Sequence, residues 1–167
     1  TLNHASLALM LSIGHRTRLF DHMAGLDFVT SEQLATRSGL NERYVREWLG
    51  AMVTGGIVEV DGSGDIDRFR LPEAHAQVLG REGDSFATVF QFTAVLGEVE
   101  SKIVDCFKHG GGVRYEEFSR FHEVMAEESN LTVVAGLHEF VLPMVPGLVD
   151  KLESGIEVPD IGCRSGR

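Results

Sequence analysis

Apolar residues recur at threes and fours through the start of the chain and define its first elements. Leu2, Ala5, Leu9, Ile13, Phe20 and Met23 fall on one helical stripe, which predicts a single helix over residues 2–23 closed by Gly25. Thr30 with Gln33 three residues on has the reciprocal capping-box arrangement, and a short helix follows to Gly39. Asn41 caps the next helix, over residues 42–54, with Tyr44, Val45, Trp48, Leu49 and Met52 on one face and Gly55-Gly56 at its end. The period then shortens. Residues 57–60 and 68–71 are β-prone runs around Asp61-Gly62-Ser63-Gly64, which reads as a hairpin with a loop of several residues.

Helix, short helix, capped helix and hairpin within about 70 residues is the order of a winged helix-turn-helix module. After Pro72 a short helix reaches Leu79, and the polar run 80–84 reads as a linker. Ser85 then caps a stripe of Phe86, Phe90, Thr93, Leu96, Val99, Ile103 and Phe107 that ends at Gly110-Gly111-Gly112. One helix over residues 85–109 would be about 37 Å long at 1.5 Å per residue, more than the winged module needs. Residues 116–128 and 131–142 read as further helices, the second stopped by Pro143, and 146–153 as a turn or two more. Residues 156–161 are β-prone and run straight into Gly162-Cys163-Arg164-Ser165-Gly166, as the first strand and turn of a parallel doubly wound sheet would. The expected fold is therefore mainly α: a winged helix-turn-helix domain over 1–79, a helical connector over 80–155, and the start of a Rossmann-like domain over 156–167. Thr1 stands inside an apolar stripe and Arg167 inside a glycine-rich turn, so both ends are expected to continue in a longer protein.

Composition narrows the function classes. Apolar residues make up 43% of the 167 and charged ones 24%, a balance that supports a packed core and sets aside disordered, collagen-like and coiled-coil readings. Fifteen Lys+Arg against 25 Asp+Glu give a net charge of −10, which opposes sequence-independent attraction to a phosphate backbone. No apolar run is long enough to span a membrane and no leader pattern opens the chain, so a reducing cytoplasm is the expected location. Cys106 and Cys163 are too few for a disulfide framework or a closed zinc site, and the seven histidines show no metal-binding spacing.

Three groups of residues could carry chemistry. Arg43 and Arg46 occupy the recognition-helix position and could reach DNA, but Glu42 and Glu47 sit among them. Up to Arg70 the module holds 7 Arg and 9 Asp+Glu, a net of −2. A reader concentrates positive charge on one face, so packing of Trp48 and Tyr44 in a protein interface is the favoured reading and a winged-helix transcriptional regulator the alternative. His109, His122 and His138 lie on the expected connector helices, where a general base would need a partner within hydrogen-bond reach; exposed or core-satisfied histidines are the favoured reading. Phe118, Phe121 and Met125 at helical spacing read as core, and Glu116-Glu117 and Glu127-Glu128 as solvated faces. The terminal turn, Asp160-x-Gly162-x-Arg164-x-Gly166, is the most specific site, because its glycines permit close approach of a ligand and a following helix would offer free N–H groups.

The strings Gly14-His15-Arg16-Thr17 with Leu19-Phe20-Asp21, residues 40–50 (LNERYVREWLG) and residues 121–127 (FHEVMAE) resemble a family of class I S-adenosylmethionine (SAM)-dependent methyltransferases. Members carry an N-terminal winged-helix domain, a helical connector and a C-terminal Rossmann-like catalytic domain. The resemblance implies that residues 158–166 begin the SAM-binding motif, with Asp160, Gly162, Cys163 and Gly166 against the cofactor. Arg164 stands where the motif has its middle glycine, and the acidic residue that would bind the ribose hydroxyls is not among these 167 residues. The resemblance thus implies methyl transfer to a small-molecule acceptor for the parent protein and no activity for this chain alone. Its winged module would serve homodimerisation and its connector would cover the substrate side; catalytic residues and the acceptor stay unassigned.

Overall fold

The computed structural model describes residues 1–81, 86–159 and Ile161. It is mainly helical, with one antiparallel hairpin, and forms two compact units, Thr1–Ser119 and Arg120–Arg167. No helix among the described residues is long and apolar enough to cross a membrane.

In the first unit, α1 (Leu2–Arg16) and α2 (Leu19–Met23) replace the single helix expected over 2–23. The Thr17 hydroxyl donates back to Ile13 O at 2.7 Å and closes α1, and Arg18 takes a left-handed conformation, φ 60°. That turn re-aims the chain so that Leu19, Phe20 and Met23 are buried. The expected stripe on α1 is corrected as well. Leu2, Leu9 and Ile13 are exposed, and the buried positions are Leu11, Ser12, Gly14 and His15. Small and polar residues line that face because neighbouring elements come close to it.

Helices α3 (Ser31–Ser38) and α4 (Glu42–Thr54) form the helix-turn-helix. Both halves of the capping box at Thr30 are made, Gln33 N–H to Thr30 Oγ1 at 3.2 Å and Thr30 N–H to Gln33 Oε1 at 2.9 Å. Gly39, φ 69°, makes the left-handed turn that ends α3, and Asn41 caps α4 through Arg43 N–H. The inward face of α4 is Val45, Trp48, Leu49 and Met52; Tyr44, expected there, is exposed. Strands β1 (Glu59–Asp61) and β2 (Arg68–Arg70) pair antiparallel with Val60 opposite Phe69, forming the wing, and Phe69 also exchanges both backbone hydrogen bonds with Val29. Helix α5 (Glu73–Leu79) follows Pro72 as expected.

The long connector helix is broken. Phe86–Phe90 is a 3₁₀ segment, followed by α6 (Gln91–Gly97) and, after a break at Glu98 and Val99, by α7 (Glu100–His109). Its buried side is Ala87, Thr88, Gln91, Val95 and Val99, of which the expected stripe contained Val99 alone. The 3₁₀ segment and α6 pack on α1, and the Thr88 hydroxyl, which accepts the Gln91 amide, lies against His15 of that helix. Ser85, expected as its cap, lies outside the described residues. A 3₁₀ turn, Tyr115–Glu117, ends the unit where the first part of a helix over 116–128 was expected.

The second unit opens with α8 (Phe121–Ser129), which buries Val124. The helix expected over 131–142 is wound as two π-helical segments, Asn130–Val134 and Leu137–Val141, joined through Gly136, and a 3₁₀ turn over Leu142–Met144 that takes in Pro143. Gly147, φ 75°, starts α9 (Leu148–Glu153). Residues 156–159 carry no regular structure; a first parallel strand makes no ladder until a second strand lies beside it.

Candidate functional site

The winged region is held together around Trp48. Its ring meets Phe20 edge to face, centroids 5.2 Å apart, and its Nε1–H donates to Met10 O at 2.9 Å. Gly14 permits this, since a Cβ there would come within 2.6 Å of Trp48 Cζ2. The strings around Gly14 and Trp48, separate in the sequence, are two sides of one contact.

The reader surface of α4 is poorly equipped for a polyanion. Arg46 and Arg43 are exposed, but Arg46 Nε lies 3.6 Å from Glu42 Oε1, and that carboxylate oxygen also accepts the Ser31 hydroxyl at 2.7 Å. In the wing, Arg70 is bound to Glu59 through Nη2 at 2.6 Å and lies 4.8 Å over the Phe28 ring, while Arg68 donates to Phe28 O at 2.7 Å. The wing loop itself bears Asp61, Asp65 and Asp67 and no Lys or Arg. The Ser63 hydroxyl and then its backbone N–H hold the Asp61 carboxyl below its ordinary value, so the loop stays anionic. Four arginines of the module are thus either matched by carboxylates and carbonyls or flanked by acids.

His109, His122 and His138 are all exposed. The buried histidine is His15, which the residue pattern left without a role. Its Nε2 is 3.5 Å from Thr88 Oγ1, which also accepts Gln91 Nε2–H at 3.0 Å, and Arg81 Nη2 donates to His15 O at 3.4 Å. This polar node joins α1 to the connector. Its signal in the sequence is spacing: His15 is four residues beyond buried Leu11, on the inward side of α1. Phe118, Phe121 and Met125 are half-buried.

A groove of about 660 Å³ runs between α1 and α4, floored by Leu7, Met10, Gly50 and Ala51 with His4 and Glu47 at its edge. Asp160, Gly162, Cys163 and Gly166 lie outside the described residues, as does Arg164. No group of three or more His, Cys, Asp or Glu among the described residues could hold a metal ion.

Residues 5–81 match the family model described as the Rv2258c-like winged HTH domain. The fold is similar to that of human N-acetylserotonin methyltransferase, solved in complex with SAM, with a TM-score of 0.59 and 13% identity over 78% of this chain and 40% of that one. It is also similar to PigF, solved with SAH, with a TM-score of 0.56 and 17% identity over 82% of this chain and 40% of that one. At these identities the likeness is one of fold. The chain spans about 40% of the length of these two structures. No curated protein matches.

Proposed function

We propose that this chain is the winged-helix and connector portion of a class I SAM-dependent methyltransferase, inactive alone, whose winged module pairs two subunits and whose connector covers the substrate side of the catalytic domain. The observation that carries this reading is the extent of the fold likeness. It covers 78% and 82% of the chain, whereas a winged module shared for its own sake would account for residues 5–81, under half of the 167. The course of the connector is therefore part of what resembles the SAM and SAH complexes. The neutralised, acid-flanked arginines of α4 and the wing support an enzyme accessory role over the regulator alternative.

In this reading Asp160, Gly162, Cys163 and Gly166 make the first contacts with SAM, the acceptor is a small molecule, and the protein is cytoplasmic. The described residues do not by themselves fit SAM: 156–159 are exposed and pair with no strand, so the cofactor would meet no sheet edge there. Bound SAM would supply an activated methyl group. The work of this chain is structural, with the His15, Thr88 and Gln91 node fixing the start of the connector against α1. Calorimetric titration of SAM into the gene product that contains this chain tests the reading.

A further inference from the structure

We propose that the first unit carries a site, separate from the glycine turn and independent of the methyltransferase reading, for the oxyanion end of a small molecule, a carboxylate or phosphate, bound by Arg18, Arg37 and Arg81. A cavity of about 450 Å³ opens among α2, α3 and α5, within the range of small-molecule sites and larger than a lone ion needs. Its wall gathers guanidinium groups from three places: the residue that precedes α2, the last turn of α3, and the residue after Gly80. In a chain of net charge −10 that convergence runs against composition.

Asp21 organises two of the three. Its Oδ2 lies 3.3 Å from Arg18 Nε and 3.8 Å from Arg81 Nε, and its Oδ1 accepts the Arg81 backbone N–H at 2.8 Å. These contacts engage the Nε of each fork, and Arg81 Nη2 also donates to His15 O at 3.4 Å, so Arg81 is the most committed of the three. The terminal nitrogens of Arg18 and the whole fork of Arg37 have no hydrogen-bond or ion-pair partner among the described residues. Planar forks with free N–H groups are the donors best matched to carboxylate and phosphate oxygens. Glu73 also faces the cavity, so among the described residues three cations stand against two carboxylates, one of which is already matched. Gln77 adds an amide suited to a hydroxyl or carbonyl of the ligand body.

The backbone gives an independent sign. Arg18, φ 60° and ψ 23°, is the one non-glycine residue with positive φ among the described residues. A side chain held in the left-handed region is unfavourable, and such residues cluster where a site needs a particular direction. Glycine would suit that turn better, but it would remove one of the three cations.

The test is NMR of the arginine Nε–Hε groups during titration with inorganic phosphate, ribose 5-phosphate or succinate, at ionic strength fixed with sodium chloride. Saturable shifts at Arg18, Arg37 and Arg81 with at least one probe are expected. Arg37→Ala, at an exposed position without a bond to lose, should weaken that binding at least about tenfold, as loss of a charged hydrogen-bonding partner does. Arg37→Lys should recover part of the loss, and the circular dichroism and melting temperature of both variants should match the parent. Equal binding of phosphate and its ester identifies the ion itself as ligand, preference for the ester an organic phosphate, and preference for succinate a carboxylate. Shifts that never saturate with any probe, or binding that Arg37→Ala weakens by less than tenfold, would overturn the proposal.

Discussion

At position 14 an added Cβ would lie 2.6 Å from Trp48 Cζ2 and 2.7 Å from Phe20 Cε2. Both neighbours are rigid rings in the core, so neither can swing away. Gly14→Ala should therefore destabilise the first unit by about 1–3 kcal/mol, the usual cost of overpacking, read as a lowered midpoint in urea unfolding. Trp48→Phe keeps most of the ring but leaves Met10 O without its indole donor, and should cost about 1–2 kcal/mol in the same assay. An unchanged midpoint in both would show that this contact does not organise the fold. Glu117 offers a pH-dependent check. The Arg114 backbone N–H first, and then Lys102 at 3.0 Å, hold its carboxyl below the ordinary value of 4.5. A depressed folded-state value means that its contribution to stability is present above 4.5 and is lost as the pH falls through the folded value. NMR titration of the Glu117 side chain should place its midpoint below that of a glutamate in a model peptide, and Lys102→Ala should raise it; a midpoint at the peptide value would contradict the geometry. Some of these residues could be read in the sequence and some could not. Thr30 with Gln33 announces its capping box through residue type and spacing, whereas Gly14 and Trp48 meet through a tertiary contact that no local period encodes.

The same distinction governs the elements. Helices α3, α4 and α5 and the hairpin were legible because their ends are chemically marked by Thr30, Gly39, Asn41, Gly55 and Pro72. The break at Arg18 carries no glycine or proline, only a gap in the stripe between Ile13 and Phe20, and the break at Glu98 and Val99 follows a lone Gly97 while the stripe continues from Leu96 through Val99 to Ile103. The connector also buries Thr88 and Gln91 instead of Leu96 and Phe107, because the facing side of α1 presents Ser12 and His15. Polar-to-polar packing reverses the rule by which a stripe is read. The glycine-rich segment that the sequence offers as a candidate site lies outside the described residues, while the arginine cavity is assembled from residues 18, 37 and 81, too distant in sequence to form a motif. For α4 and the wing the expected outcome is no saturable DNA binding at physiological salt. Fluorescence anisotropy with random and selected duplexes over a salt series checks it. Sequence-dependent binding that disappears in the Arg43→Ala, Arg46→Ala double variant would promote the regulator reading.

At the scale of the whole molecule, folding leaves many large apolar side chains exposed among the described residues. In the first unit Leu2, Leu9 and Ile13 of α1 and Ile103, Val104 and Phe107 of α7 face outward, with Phe107 89% exposed. In the second, Val133, Phe140, Val141 and Met144 do the same. Surfaces of this kind favour burial against another chain, so light scattering should report a dimer or larger species. A clean monomer at high concentration would count against the dimerisation role.

The central claim, that the chain belongs to a SAM-dependent methyltransferase and cannot bind the cofactor alone, is tested most directly by isothermal titration calorimetry with SAM. The titration compares the 167-residue chain with the gene product that contains it. The account predicts micromolar binding by the gene product and no measurable binding by the chain, because 156–159 pair with no strand among the described residues. Micromolar binding by the 167 residues, or none by the gene product, would contradict it.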